Sequence, residues 1–252
     1  MTKVALLIGA GRKFGVGAST ARLFARNGYN IALNFSKSSE GAESIVKDCL
    51  EYGVKAELFQ GDMSDTAKIK EMTDSVSSKF GRIDSVIYSA GITKFASYDD
   101  LNALSLDDFN RIFMINCFSA YFVASSVKEA LIASRGSFTA ISSTAGITGM
   151  GSSIAYAASK GALNTLVLSL AKALAPHVRV NAIAPSFIDS SWWDERFQGK
   201  KEKYDAFKAD MAAKTALGEV LMPDDVARCA FYLAENKVTG EILRLDAGAH
   251  VK

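Results

Sequence analysis

A chain of 252 residues with 29 basic and 27 acidic side chains, net charge +2 and no basic block does not read as a nucleic-acid binder. Its 49% hydrophobic content excludes a disordered chain, and three widely spaced cysteines (Cys49, Cys117, Cys229) with no CxxC pattern predict reduced, mostly buried thiols. His177 and His250 are the only histidines, which leaves a His-based metal site or a Ser-His triad with little support.

The first apolar run, Val4 to Ile8, is too short for a signal segment, and no stretch approaches a membrane span, so a cytoplasmic protein with no membrane partner is expected. Lys3 to Ile8 reads as a buried strand, followed by the glycine loop GAGRKFGVG and a helix over Ala18 to Asn27 closed by Gly28. Tyr29 to Asn34 is a second strand, Ser39 to Tyr52 a helix, and Val54 to Phe59 a third strand. Ser64 is expected to cap a helix over Asp65 to Phe80, which Gly81 stops. Ile83 to Ile87 gives a fourth strand, one long helix is predicted near Asp107 to Ala133, and Ser137 to Ile141 is a fifth strand. A helix ending at Pro176, a strand over Val178 to Ile183, a polar segment from Ser190 to Thr215, a helix opened by Pro223 and a last strand over Glu241 to Leu245 complete the chain. Strands alternating with helices across short loops predict an α/β fold: a single doubly wound Rossmann-type domain, residues 1–252, with a parallel seven-stranded sheet and helices on both faces.

Gly11, Gly15 and Gly17 follow the first strand directly and open the first helix, where glycine lets the backbone approach a pyrophosphate at the helix N-terminus. The end of the second strand reads Asn34-Phe35-Ser36-Lys37, with no acid before Glu40 to grip a ribose, while Arg12 and Lys13 put cations in the loop. This favours NADP(H) over NAD(H).

Tyr156 and Lys160 stand four residues apart, on one face of a helix, and Ser143 lies thirteen before the tyrosine across a Gly/Ser/Thr-rich loop. A tyrosine with a pKa of about 10 is a poor base near neutrality, and an adjacent ammonium is expected to lower it. A serine hydroxyl could then hold a substrate oxygen while the tyrosine moves the proton, which suits redox chemistry at a carbonyl.

Taken together, the glycine loop, Gly61-Asp62-Met63-Ser64-Asp65, Ser89-Ala90-Gly91, Asn116, Ser143, Tyr156-x3-Lys160, Asn181 to Pro185 and Thr239 to Gly248 fall in the order found in the classical short-chain dehydrogenase/reductases. The chain resembles that family over nearly its whole length, and within it the 3-oxoacyl-acyl-carrier-protein reductases most. The resemblance implies Tyr156 as general acid/base, Lys160 as the group that lowers its pKa and binds the nicotinamide ribose, Ser143 as holder of the reacting oxygen, and Asn116, in a kinked helix, as anchor of a relay water. It implies cofactor contacts at Gly9, Gly11, Arg12, Gly15, Val16, Gly17, Ser36, Lys37, Asp62, Met63, Ala90, Gly91, Tyr156, Lys160, Ile188 and Ser190, and no metal. Three departures from the family stand out. The loop is about two residues longer, with Lys13-Phe14 extra; Tyr88-Ser89 replaces an Asn-Asn pair, removing an amide expected to brace the sheet; and Ser186 follows Pro185 where glycine is usual.

Residues 187–217 hold Trp192, Trp193, Phe197, Tyr204 and Phe207 among lysines, a composition suited to a substrate lid or to aromatic packing against the domain. Lys200, Lys201 and Lys203 could attract an acidic carrier protein or form a solvated face, and Phe95 and Tyr98 are candidates for the same pocket. Small residues from Ala155 to Ala162, with the resemblance, predict a homo-oligomer, a tetramer or a dimer. The expected activity is NADP(H)-dependent reduction of a carbonyl, either a 3-oxoacyl thioester or a small ketone. The alternatives are an NAD(H)-linked dehydrogenase of a sugar, polyol or steroid-like alcohol, and a non-catalytic NADPH sensor.

Overall fold

The computed structural model describes residues 2–36 and 39–252. Seven strands, β1 (Val4–Ile8), β2 (Asn30–Phe35), β3 (Ala56–Gln60), β4 (Ser85–Tyr88), β5 (Ser137–Ile141), β6 (Arg179–Pro185) and β7 (Ile242–Leu245), form one sheet in the order β3-β2-β1-β4-β5-β6-β7. Every pairing is parallel, for example Leu6 beside Ala32 on one side and Val86 on the other. The doubly wound fold expected from the sequence is the one observed.

Alternation along β1 shows why the strand reads as an unbroken apolar run. Leu6 and Ile8 join one core with Val86, Tyr88, Phe138, Ala140 and Leu163, while Ala5 and Leu7 join a second core with Phe24, Ile31, Leu33 and Ile183. Both faces of the strand are buried, so neither parity can be polar. The first core is roofed by α3 (Thr66–Phe80), α5 (Ser119–Ser126), α6 (Lys128–Ser134) and α8 (Ile154–Leu174). The second is covered by α1 (Val16–Arg26), α2 (Glu40–Leu50) and α11 (Pro223–Glu235). Each fully buried large apolar side chain contributes about 1.5–3 kcal/mol.

Three local expectations are corrected. Asp65, not Ser64, caps α3, its carboxylate accepting from the Ala67 and Lys68 amides; Ser64 instead folds onto Asp62 Oδ1 through both its amide and its hydroxyl. The predicted long helix over Asp107 to Ala133 is broken into α4 (Leu106–Phe113), a π turn (Met114–Phe118), α5 and α6. The polar segment after β6 is largely helical: a 3-10 turn (Ser191–Trp193), α9 (Asp194–Phe197) and α10 (Lys201–Ala213). Lys201 with Asp205 and Lys214 with Asp210 make helical i, i+4 pairs there, although α10 buries no residue. No helix among the described residues is long and apolar enough to cross a membrane.

The brace that Tyr88-Ser89 was expected to remove is supplied in another way. Ser89 Oγ donates to Ile8 O at 2.7 Å, tying β4 to β1. Asn34, fully enclosed at the end of β2, accepts from Gly9 N at 3.1 Å and donates to Gly61 O at 3.1 Å, joining three strand ends.

Candidate active site

The strand order reverses between β1 and β4; the loops at the carboxyl ends of β1, β4, β5 and β6 supply the glycine loop, Ala90, Gly91, Ser143, Ile188 and Ser190, while Asn116, Tyr156 and Lys160 come from helical segments. In an open parallel sheet this edge is where a crevice forms.

Ser143 follows β5, where Ser142 N and Thr144 N donate to Ile183 O and Pro185 O and carry the strand's path past its end. The short helix α7 (Ala145–Thr148) then folds back on α8. A side chain at Gly146 would overlap the Lys160 and Gly161 backbone, so only glycine permits this approach. Ser143 is thereby set beside Tyr156 on α8, whose N-cap Ser153 accepts from Tyr156 N at 3.3 Å. One turn on, Lys160 is buried, with Nζ donating to Ile141 O at 2.9 Å and lying 5.7 Å from the centre of the Tyr156 ring.

Asn116 sits inside the π turn with its amide fully engaged. Oδ1 accepts from Ile92 N at 2.8 Å, while Nδ2 donates to Ile92 O at 3.0 Å and to Ser159 Oγ at 3.0 Å. Ser159 in turn donates to Tyr156 O at 2.8 Å. The kinked helix expected around Asn116 is therefore present, and Ser159, absent from the sequence candidates, completes the chain to Tyr156. Its only sequence signal is a serine three residues after the tyrosine.

The electrostatic balance differs from the simple expectation. Burial pushes the Tyr156 phenol up to about 12, opposed by a hydrogen bond from Ser143, and burial lowers Lys160 to about 8. Lys160 Nζ is held on a backbone carbonyl, and the loss of water around the phenol outweighs the Ser143 hydrogen bond. Tyr156 is therefore a protonated donor near neutrality.

Residues expected at a dinucleotide line the β1–β4 junction. Gly9 runs so close to Ala90 that a side chain would overlap it, and Gly17 packs likewise on Ala10. Gly15 is the N-cap of α1 and makes no side-chain cap, and no acid occupies the first turn, which starts at Val16, as an anion at this helix N-terminus would need. This set fits a pyrophosphate. A side chain on Gly91 would come 3.6 Å from both Asn116 Oδ1 and Lys160 Nζ. Ser36 lies at the end of β2 with its carbonyl bonded to Gln60, Met63 is buried, and Lys37 falls outside the described residues. Ile188 bridges to Leu221, and Ser190 caps the 3-10 turn.

Two placements were not legible in the sequence. Arg12 Nη1 donates to Ser191 O at 2.6 Å, and Phe14 O accepts from Ser191 N at 3.0 Å and from Ser191 Oγ at 2.5 Å, so the glycine loop reaches across to the 187–217 segment. The loop also presses on α2, where any side chain at Gly41 would overlap the Gly11 carbonyl oxygen.

The aromatic residues of 187–217 gather around Arg196, whose guanidinium carbon lies 4.7 Å from the Phe95 ring centre and 5.0 Å from that of Phe207. Trp192 faces Tyr156 with ring centres 6.2 Å apart, whereas Tyr98 bonds to Gly149 O instead of joining the cluster. Two surface hollows, about 610 Å³ beside Phe59 and Asp74 and about 200 Å³ beside Lys3 and Tyr29, are lined by none of these residues. Their linings bring together no comparable set of hydroxyl, phenol and amine. No group of metal-ligating side chains occurs among the described residues.

A family model described as enoyl-(acyl carrier protein) reductase matches residues 9–250. Among curated proteins, a 3-oxoacyl-[acyl-carrier-protein] reductase of Staphylococcus aureus is 30% identical, covering 100% of this chain and 99% of its own. Versicolorin reductase 1 of Dothistroma septosporum is 30% identical over 98% of this chain and 95% of its own. A Burkholderia xenovorans crystal structure described as a short-chain dehydrogenase/reductase superposes with a TM-score of 0.91 at 31% identity, covering 100% of this chain and 99% of that one.

Proposed function

This chain is an oxidoreductase of the classical short-chain dehydrogenase/reductase family, and from that premise we propose that it reduces a ketone with NADPH, using Tyr156 as the proton donor. The observation that carries the reading is the convergence of the Ser143 hydroxyl, the Tyr156 phenol and the Lys160 amine, beside Gly91 and Asn116. When bound, the nicotinamide cofactor supplies the hydride. Ser143 orients the carbonyl oxygen by hydrogen bonding, and Tyr156, kept protonated by burial, delivers the proton to that oxygen. Lys160 as ammonium offsets the charge left on the phenol oxygen. Asn116, its side chain spent on Ile92 and Ser159, holds the turn from which its own backbone can serve proton resupply.

The glycine-rich, acid-free start of α1 supports binding of the pyrophosphate. The absence of an acid in Asn34-Phe35-Ser36, with Arg12 and Lys13 nearby, supports NADP(H) over NAD(H), and a kcat/KM ratio favouring NADPH at least about tenfold is expected. The name of the Staphylococcus aureus relative makes a 3-oxoacyl thioester the first substrate to test, with a small ketone beside it. Replacing Tyr156 with Phe removes the proton donor and is expected to lower the rate by about 10²–10⁴. An unchanged rate would refute the assignment. The half-exposed Phe118 at the end of the π turn, Tyr121 on α5 and Leu168 on α8 support assembly with further copies of this chain, and light scattering should show at least a dimer.

A further inference from the structure

Tyr88 ends β4 at a position with no exposed surface, yet it carries a hydroxyl that an apolar strand residue would not need. Its ring stacks on Phe138, with centres 6.4 Å apart and planes 19° apart, which fixes where the phenol points. The hydroxyl donates to Ile115 O at 2.6 Å and makes a short hydrogen bond with Ser119 Oγ, itself 3.0 Å from Ile115 O.

Ile115 is the residue before Asn116. Within the π turn the Ser119 amide reaches Met114 O, five residues back, and not Ile115 O, four back. The Ile115 carbonyl thus sits where the helical ladder is out of step, and the Tyr88 hydroxyl serves it while Ser119 Oγ donates to the phenol oxygen. Burial holds the Tyr88 phenol well above the usual tyrosine range, so it stays a donor at every working pH.

We propose that Tyr88 is a positioning residue. Through Ile115 O it holds the π turn in register and so sets Asn116 against Ile92, Ser159 and the backbone of Tyr156. Its catalytic consequence rests on the reductase reading above. The strand end and the turn are tied twice, by Tyr88 to Ile115 O and by Ile92 to the Asn116 amide, so one side of the site moves as a unit with β4.

The test compares Tyr88→Phe, which keeps the ring and the stack, with Ser119→Ala, which keeps the Tyr88 bond, and Phe138→Leu, which loosens the stack alone. Amide hydrogen exchange over residues 112–120 and at Ile92 is read together with kcat, KM and the Kd of NADPH. For Tyr88→Phe, exchange faster by about tenfold and kcat lower by about tenfold are expected, with KM and Kd near the parent's. Ser119→Ala should change both far less. Unchanged exchange in Tyr88→Phe overturns the proposal, as does faster exchange with kcat intact. Equal losses in Phe138→Leu also overturn it, since general loosening would then account for the effect. A parent that turns over no ketone sinks the reductase reading, and the exchange result then decides alone whether Tyr88 sets the turn.

Discussion

The two sides of the site are built by different physics. The floor, made by β4, β5, the π turn and α8, holds Asn116, Ser159 and Lys160 by hydrogen bonds in which a backbone carbonyl or amide takes part, and all three side chains are buried. The 187–217 segment holds itself by rings and ion pairs. Phe187 stacks on Trp193 at 4.9 Å, Phe197 meets Tyr204 at 5.2 Å, and Asp189 takes both Tyr204 and Lys208. Backbone partners inside a close-packed core cannot shift without moving a strand, whereas ring contacts can slide at a small cost. On the proposed function, the floor would set the reaction and the segment would set admission.

Variants can break that division. The largest effect is expected from Lys160→Met, which should cut kcat about a thousandfold by leaving the phenol oxygen uncompensated. A loss confined to KM would place Lys160 with the segment instead. Next comes pH. Burial lowers Lys160 to about 8, so its ammonium is lost as pH rises through that value while Tyr156, near 12, stays protonated. The rate of ketone reduction should therefore fall about tenfold per unit above that point, and a profile flat to pH 10 would remove Lys160 from the chemistry. Arg12→Ala takes away one of the bonds between the glycine loop and Ser191 and should raise KM several-fold, about 1 kcal/mol, with kcat kept. The smallest change is expected from Arg196→Ala, which removes a solvent-exposed cation from the aromatic cluster at about 0.5–1 kcal/mol. A shifted pH profile in either arginine variant would show that the two regions are not separable.

Legibility in the sequence follows the same line. Strands such as Val4–Ile8 were readable because burial on both faces leaves a continuous apolar run before turn residues. Ser143, Tyr156 and Lys160 were readable because their chemistry requires those residue types at fixed spacing, and the structure brings all three together. The π turn was visible only through the resemblance, since Met114 to Phe118 has the composition of an uninterrupted helix. Helix α10 was missed because it offers no apolar stripe, only ion pairs at helical spacing. Tyr88 was read as a lost amide because a strand pattern says that its ring is buried but not where its hydroxyl ends. The contact between Phe14 and Ser191, 177 positions apart, leaves no local trace at all.

The overlap that any Gly41 side chain would make with Gly11 means that the path of the glycine loop depends on a glycine at the second position of α2. Anyone redesigning the loop must therefore treat that helix position as part of it, because a Cβ there would push the Gly11 carbonyl off its present course.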